Sequence, residues 1–466
     1  MPDSLPESAG RLRERPSRRI STDGVHYCVP TCAARPRTSD TTTEFIGNAA
    51  AEASGLRPCP HCRPERAPLS AGRDAVTRRL RRASLLHYAA ADEAVIADAL
   101  GVSTARYARE CLAGCGVTPA QYAQTQRRLL ALRCLGDTRA PLADVARACG
   151  YADTAGLERD LRRAYGESAT ALRRARGGGD AAQIALTLPY AAPYAWTQLL
   201  GFLASRTIDG SEEADATAAR YRRTLRVTHE GVERCGWIEV VAAEDALALS
   251  LSTSLLPVLP AVLARAWHAF DLGAEPRAIA KALGPLAAGA PGLRLPGTFD
   301  AFELVVRAIL GQQITVKAAR TLASRFAGAF GTSIATPCAG LTRVFPAPAT
   351  VAALSVDAIA SLGIIGARTR TILAVAAALA EGRLHLSPGG DPARAVSELK
   401  ALPGIGEWTA QYIAMRALAA RDAFPHTDYG VMKALDEKNP KRVLAHGEAW
   451  RPYRAYAVMH LWRSLG

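Results

Sequence analysis

Apolar positions along this chain recur with two different periods, and each change of period marks a subdivision. Residues 1–20 show neither period, only Pro, Ser and Arg, and read as disordered. Residues 21–70 follow as a small irregular domain rich in Pro. From 74 to 176 the pattern is helical throughout. Two stretches there share one plan: IADALGVSTARYARE (Ile96–Glu110) and LADVARACGYADTAGLERDLRRAYG (Leu142–Gly166). Small and apolar residues line a first helix, a Gly (Gly101, Gly150) turns the corner, and a polar second helix follows. A long helix, Pro119–Leu135, joins them. Arg176-Gly-Gly-Gly-Asp180 then reads as a linker, residues 177–181.

Beyond the linker the period drops to two. Strands are expected at Ile184–Pro189 and Ile238–Val241, with alternation continuing at Leu247, Leu249 and Leu251, so 182–290 reads as an αβ part. Helical spacing returns over Pro257–Phe270, Pro276–Leu283, Phe299–Gln313, Val316–Phe330, Thr350–Leu362, Ala367–Glu381 and Trp450–Ser464, making 291–466 all-α. The fold class is therefore multidomain and mainly α. One stretch stands out, LPGIGEWTAQYIAMRALAARDAFPHTD (Leu402–Asp428). Ala395–Lys400 before it is short and mixed. Trp408, Tyr412, Ile413 and Met415 after it return at helical spacing. Gly404 and Gly406 are expected to take positive φ and bring bare backbone close to a partner. Glu407 opens a helix whose first N–H groups have no internal acceptor, a setting that suits a phosphate. Asp428 follows in a Pro- and His-flanked turn, as a catalytic acid or as a helix cap.

Composition adds a partner. With 466 residues the chain is too long for one ordinary core, and about three domains are expected. A net charge of +14 favours a polyanion, and residues 1–176 hold 28 Arg, no Lys and 19 acids. No uncharged apolar run reaches about 18 residues and no secretory signal is visible, so a cytosolic, nucleoid-associated protein with no membrane partner is expected. Ten Cys in such a chain argue for thiols or metal over disulfides. Four of them are compactly spaced, Cys28-x3-Cys32 and Cys59-x2-Cys62, as a four-thiolate Zn2+ site needs. Cys111, Cys115, Cys134 and Cys149 fall on helical faces and read as small core residues.

These motifs carry three resemblances. LPGIGEWTAQY…D resembles the helix-hairpin-helix DNA glycosylases, nearest to the 3-methyladenine DNA glycosylase II type, over Leu186–Trp462. LPYAAPYAWTQLLGFLASRTIDG is similar to the αβ (TBP-like) subdomain of that type. YCVPTC…GLRPCPHCRPE resembles the zinc domain of the adaptive-response (Ada) regulators, and the paired helix-turn-helix units resemble the AraC-type DNA-binding domain. Two departures are visible. The segment before the Cys motif is RRISTDG, short and without the family's aromatic residue, which predicts a missing or altered edge strand. Glu167-Ser168-Ala169 stands where the AraC type has Ser-Pro.

The resemblances imply roles. Cys28 would accept a methyl group from a DNA methylphosphotriester, with Cys32, Cys59 and Cys62 as fellow metal ligands. Recognition helices would run Ser103–Cys111 and Thr154–Ala164, presenting Arg106, Arg109, Arg159, Arg162 and Arg163 to DNA. In LGQQIT (Leu310–Thr315), Gln313 would fill the gap left by a flipped nucleotide. Trp408, Tyr412, Trp462 and Phe202 would form an aromatic pocket for a cationic base. Gly404, Gly406 and Thr409 would contact DNA, and carbonyls near Lys400–Ile405 would hold a monovalent cation. Asp428 would stabilise the oxocarbenium-like sugar by placed charge. Trp408 occupies the position where bifunctional relatives carry a Lys, so no strand cleavage is expected. The expected whole is a monomeric fusion acting on alkylated double-stranded DNA and on promoter DNA. Two alternatives stay open: a transcription factor with a non-catalytic glycosylase-like half, and a glycosylase whose front half only targets DNA.

Overall fold

The computed structural model describes residues 18–34, 42–66, 75–88, 92–386 and 390–465. Contacts divide the chain into two compact units, Met1–Leu142 with Tyr151–Gly179, and Ala143–Gly150 with Asp180–Gly466.

The first unit begins with a module of very short strands. β1 (Arg18–Ser21), β2 (His26–Tyr27), β3 (Thr43–Ile46) and β4 (Arg57–Pro58) surround α1 (Gly47–Ala53). β1 pairs antiparallel with β3, and β2 runs parallel to β4 with Tyr27 opposite Pro58. Of the start expected to be disordered, residues 1–17 lie outside the described residues, whereas Arg18–Ile20 are strand. Where a missing or altered edge strand was expected, a four-residue strand is present. It forms without local periodicity because its partners are distant. Arg19 Nε donates to Asn48 Oδ1, and Ile20 exchanges backbone hydrogen bonds of 3.1 and 2.9 Å with Cys28. Among the described residues a small apolar cluster of Tyr27, Ala51 and Leu56 lies in this module, with the Cys cluster as a second.

In chain order, helices α2 (Ala75–Tyr88), α3 (Glu93–Ala99), α4 (Thr104–Cys115), α5 (Pro119–Asp137), α6 (Leu142–Ala148, grouped with the second unit from Ala143 on), α7 (Thr154–Tyr165) and α8 (Ala169–Ala175) follow. Capping explains their starts: Asp92, Ser103, Thr118, Asp153 and Ser168 each accept from a backbone N–H in the first turn of the helix they open. Ser168 therefore keeps its cap although Ala169 replaces the family's Pro. Gly101 and Gly150 turn their corners at φ +67° and +72°. Cys111, Cys134 and Cys149 are buried and Cys115 partly so.

The second unit opens with an antiparallel sheet of β5 (Gln183–Pro189), β6 (Glu212–Asp215), β7 (Arg220–His229), β8 (Val232–Ala243) and β9 (Ala246–Ser252), in the order β5-β9-β8-β7-β6. Leu186 faces Leu249 and Leu188 faces Leu247 in the register expected of alternating leucines. β6 and β7 were not expected. β7 reads RYRRTLRVTH, and one of its inward positions is Arg223, 5% exposed, which bonds Glu303 at 2.6 Å and Glu212 at 3.3 Å. A paired guanidinium stands where the pattern would show an apolar residue.

Around the sheet come α9 (Trp196–Ala204), α10 (Leu259–Ala269), α11 (Pro276–Leu283), α12 (Ala301–Leu310), α13 (Val316–Phe330), α14 (Pro348–Ala352), α15 (Val356–Ala360), α16 (Gly366–Ala380), α17 (Pro392–Lys400), α18 (Glu407–Ala417), α19 (Tyr429–Ala434), α20 (Pro440–Gly447) and α21 (Arg454–Arg463). The single helix expected over Thr350–Leu362 is two, because Ser355 caps a fresh start at 3.1 Å from the Ala358 N–H. The mixed Ala395–Lys400 is helical, the end of an α17 capped by Asp391. One apolar cluster gathers α12, α13, α16 and α18, and a second gathers α18, α19 and α21. α18 thus stands between two cores, and the Gly-rich turn precedes it.

Candidate active site and metal centre

Trp408 and Tyr412 lie one turn apart on α18, with rings 5.4 Å apart and nearly parallel. Trp462 comes from α21, its ring 6.2 Å from Tyr412, and Phe202 from α9 stacks on Trp462 at 6.5 Å. The four expected aromatic residues are therefore brought together as one set of partly buried rings. Asp428 joins them at the N-cap of α19. Its Oδ2 accepts from Trp408 Nε1 at 2.7 Å, and its Oδ1 accepts from Trp462 Nε1 at 2.8 Å and from the Val431 N–H at 2.9 Å. Asp428 therefore caps α19 and bonds the ring set at once, so the cap the sequence offered as a rival does not exclude a place in the site. Gly430 leaves room for it, since a Cβ there would stand 3.0 Å from both Asp428 Oδ1 and Trp462 Cδ1.

Two arginines that sequence reading missed line the same ring set. Arg206 lies over Phe202 at 3.8 Å, and Arg416 over Phe202 at 5.0 Å and Tyr412 at 5.6 Å. Arg416 donates to the Tyr412 hydroxyl (2.7 Å) and to the carbonyls of Pro296 and Gly297. Burial alone would raise the Tyr412 phenol, but Arg416 and Arg206 outweigh it and hold it below its ordinary value. Burial brings Arg206 down to about 10. Each Arg sits four residues after its ring, a helical spacing that was available in the sequence as a signal. Both arginines also line a cavity of about 20 Å³, roughly one water in size, together with Glu212, Arg223, Glu303 and Arg307.

The hairpin turn departs from expectation in detail. Gly404 takes φ +83°, and a Cβ there would meet Thr371 Oγ1 at 2.0 Å. Gly406 does not take positive φ; it is extended at φ −92° and caps α18 with no side chain in front. Thr409 is buried at 2% exposure, so its side chain faces the interior, where its hydroxyl accepts from Gln312 Nε2 at 3.0 Å. Gln312, not singled out beforehand, also donates to Gly404 O at 3.0 Å and so ties the α12–α13 loop to the hairpin. Its neighbour Gln313 is exposed at φ +55°, a backbone conformation that L side chains rarely adopt.

In the first unit the parallel register of β2 and β4 brings the next residues of each strand, Cys28 and Cys59, side by side. Tight turns then return Cys32 and Cys62, and the four Sγ atoms lie within 4.8 Å of one another. A tetrahedral zinc–thiolate centre has sulfurs roughly 3.8 Å apart, so the set fits Zn2+ with small adjustment. Burial and the adjacent Cys59 push the Cys28 thiol well up, and Cys62 is pushed up to about 12. Four thiolates this close need a cation among them. Cys28, Cys32 and Cys59 are 6–9% exposed, and Cys62 is the most open of the four. On α4 and α7, Arg106, Arg109, Arg159, Arg162 and Arg163 are all exposed. Arg106 bonds Glu110 at 3.0 Å and Arg162 bonds Glu158 at 3.4 Å, so these two are already engaged on their own helices.

Family models match the chain in the same order. Residues 21–65 match the metal binding domain of Ada, 96–175 a helix-turn-helix domain, 185–300 the AlkA N-terminal domain, and 306–442 the HhH-GPD superfamily of base excision DNA repair proteins. The probable bifunctional transcriptional activator/DNA repair enzyme AlkA of Mycobacterium tuberculosis is 35% identical over 469 residues, covering 96% of this chain and 92% of that one. The chain belongs to the AlkA family of bifunctional activator and repair proteins. The AlkA-type half also has a shorter relative, DNA-3-methyladenine glycosylase 2 of Escherichia coli, 36% identical over 282 residues, 60% of this chain and 97% of that one. Among solved structures, the 3-methyladenine DNA glycosylase of Archaeoglobus fulgidus overlays 60% of this chain and 97% of its own at 19% identity and TM-score 0.49. This chain pairs an Ada-type zinc domain and a helix-turn-helix domain with a base-excision fold, and DNA is its partner. No described helix is long and apolar enough to cross a membrane.

Proposed function

We propose that the second unit hydrolyses the N-glycosidic bond of alkylated bases of the 3-methyladenine kind, and that the first unit is a methyl-accepting regulator of the alkylation response. The observation carrying the first half is Asp428, its two oxygens held by two indole N–H groups of the ring set. Gln313 would occupy the gap left by the flipped nucleotide, and the bare turn at Gly404–Gly406 with the α18 N-terminus would grip a phosphate. An alkylated purine, already cationic, would lie among the rings. Its C1′–N bond breaks with the electron pair going to the base, which leaves neutral, so no general acid is required. The Asp428 carboxylate stabilises the positive sugar, and water adds at C1′ and releases its proton to solvent. A monovalent cation on the Lys400–Ile405 carbonyls rests on resemblance alone, and Gly404 O already accepts from Gln312.

In the first unit Cys28, Cys32, Cys59 and Cys62 would hold Zn2+, which keeps bound sulfurs as nucleophilic thiolates at neutral pH. Cys28 Sγ would attack the methyl carbon of a methylphosphotriester, forming S–C as C–O breaks with its pair to the phosphate oxygen. Removing one negative charge from the cluster eases repulsion by DNA and strengthens promoter binding. The chain would act as a monomer in the cytoplasm.

The deciding experiment is release of free base from methylated duplex DNA by wild type and Asp428→Asn. Wild type is expected to free 3-methyladenine without cleaving an abasic strand, and the variant to free at least about a hundredfold less. Binding without release by wild type overturns the reading. Peptide mass after incubation with a methylphosphotriester duplex names the acceptor: methyl on Cys28 supports it, and methyl on Cys62 alone rejects it.

A further inference from the structure

Glu52 lies on α1 of the metal module, yet its side chain, 3% exposed, is satisfied mostly by residues of the helix-turn-helix part. Oε1 accepts from the Tyr165 hydroxyl at 2.7 Å and from the Tyr27 hydroxyl at 3.2 Å. Oε2 accepts from Arg128 Nη1 at 2.9 Å and Thr125 Oγ1 at 3.2 Å. Tyr27 immediately precedes Cys28. Thr125 and Arg128 belong to α5, and Tyr165 is the last residue of α7. Arg128 reaches on to Asp160 of α7 at 3.2 Å, and Asp160 also accepts from Gln124 at 2.9 Å and Tyr151 at 2.7 Å. Tyr27 and Tyr165 are 0% and 1% exposed. Both oxygens are thus fully taken, in a setting where an unmet partner is costly and a complete set is stiff.

We propose that Glu52 is a positioning residue that fastens the Cys28 segment and the second helix-turn-helix unit's α7 into one rigid DNA-reading body. Its use in the cell rests on Cys28 being the methyl acceptor, but the fastening itself does not. A shift of backbone at Tyr27 must either break the Tyr27–Glu52 bond or carry Tyr165 with it, because the carboxylate has no spare oxygen. The state of Cys28 is therefore felt at α7 through two short connections, the direct one by Tyr165 and the parallel one by Arg128 and Asp160.

The test is hydrogen exchange, read by mass spectrometry on the zinc-loaded full chain, of wild type and Tyr165→Phe. The substitution keeps the ring and removes one donor. Exchange is expected to rise about tenfold, the weight of one buried hydrogen bond, in the peptide 154–165 and equally in the peptide 26–32. A rise confined to 154–165 means that Tyr165 is only a local support and overturns the proposal. If Tyr165→Phe loses zinc or its fold, Thr125→Ala, acting on the other oxygen, decides in the same way. Methyl transfer to wild-type Cys28 is measured separately by peptide mass. Its absence sinks the acceptor reading and leaves the exchange result to judge the fastening.

Discussion

Of the two Asp428 oxygens, one accepts from Trp462 and the Val431 N–H and the other from Trp408, so the carboxylate cannot rotate away from the ring set. Orientation of a fixed negative charge is worth more to a cationic transition state than to the bound base. Trp462→Phe tests this, since it keeps a ring against Phe202 and deletes the N–H. Turnover on methylated duplex should fall roughly tenfold with KM little changed. A KM effect larger than the kcat effect would show that the ring and not the N–H matters. The four aromatic residues and Asp428 were legible through family likeness. The direction of the indole N–H groups was not, because the angle between α18 and α21 sets it. Gln312 and Gln313 illustrate the same limit. Two identical neighbours in sequence take opposite tasks, one inward to the hairpin and one exposed, and only the fold separates them.

Helices with strong caps or clear periods were legible at the level of elements: α11 and α13 run over the expected residues, and α5 and α7 nearly so. Elements whose cause is distant were not. β1 forms because of Cys28 and β3, and β7 carries a buried Arg223 that only Glu212 and Glu303 make tolerable. The hairpin shows both sides. Its glycines were picked out together, yet only Gly404 needs positive φ, while Gly406 needs only the open space in front of α18. Gly404→Ala should therefore destabilise the second unit by about 2 kcal/mol or more, through strain and the clash with Thr371. Gly406→Ala should leave stability nearly unchanged and weaken DNA binding instead. Denaturant melts with a parallel binding titration distinguish the two.

Across the whole molecule, buried imidazoles weaken the fold in mild acid. Burial, with Arg416 beside it, holds His268 down to about 4, and its Nε2 lies 2.8 Å from the Arg416 carbonyl. Burial, with Arg127 nearby, does the same to His87 in the first unit. Unfolded imidazole takes its proton near pH 6.5, so between about 6.5 and 4 the unfolded chain holds more protons than the folded one. Stability is thus full above about pH 6.5 and falls as pH drops towards 4, by about 3 kcal/mol for His268 alone. Denaturant melts at stepped pH should show that decline in the second unit, and His268→Gln should reduce it by roughly half, since burial holds His460 of the same unit down to about 4 as well. An unchanged slope would place the loss elsewhere.

For anyone preparing the protein, β1 decides where a shortened chain can begin. A start after Ser21 would remove the two backbone hydrogen bonds that Ile20 exchanges with Cys28 and the strand that pairs with β3. The sulfur cluster would survive in composition but lose one wall, and metal would leave it faster. A purification tag cut back to the first apparent motif residue would thus yield a chain that looks complete by sequence and loses its zinc on the column.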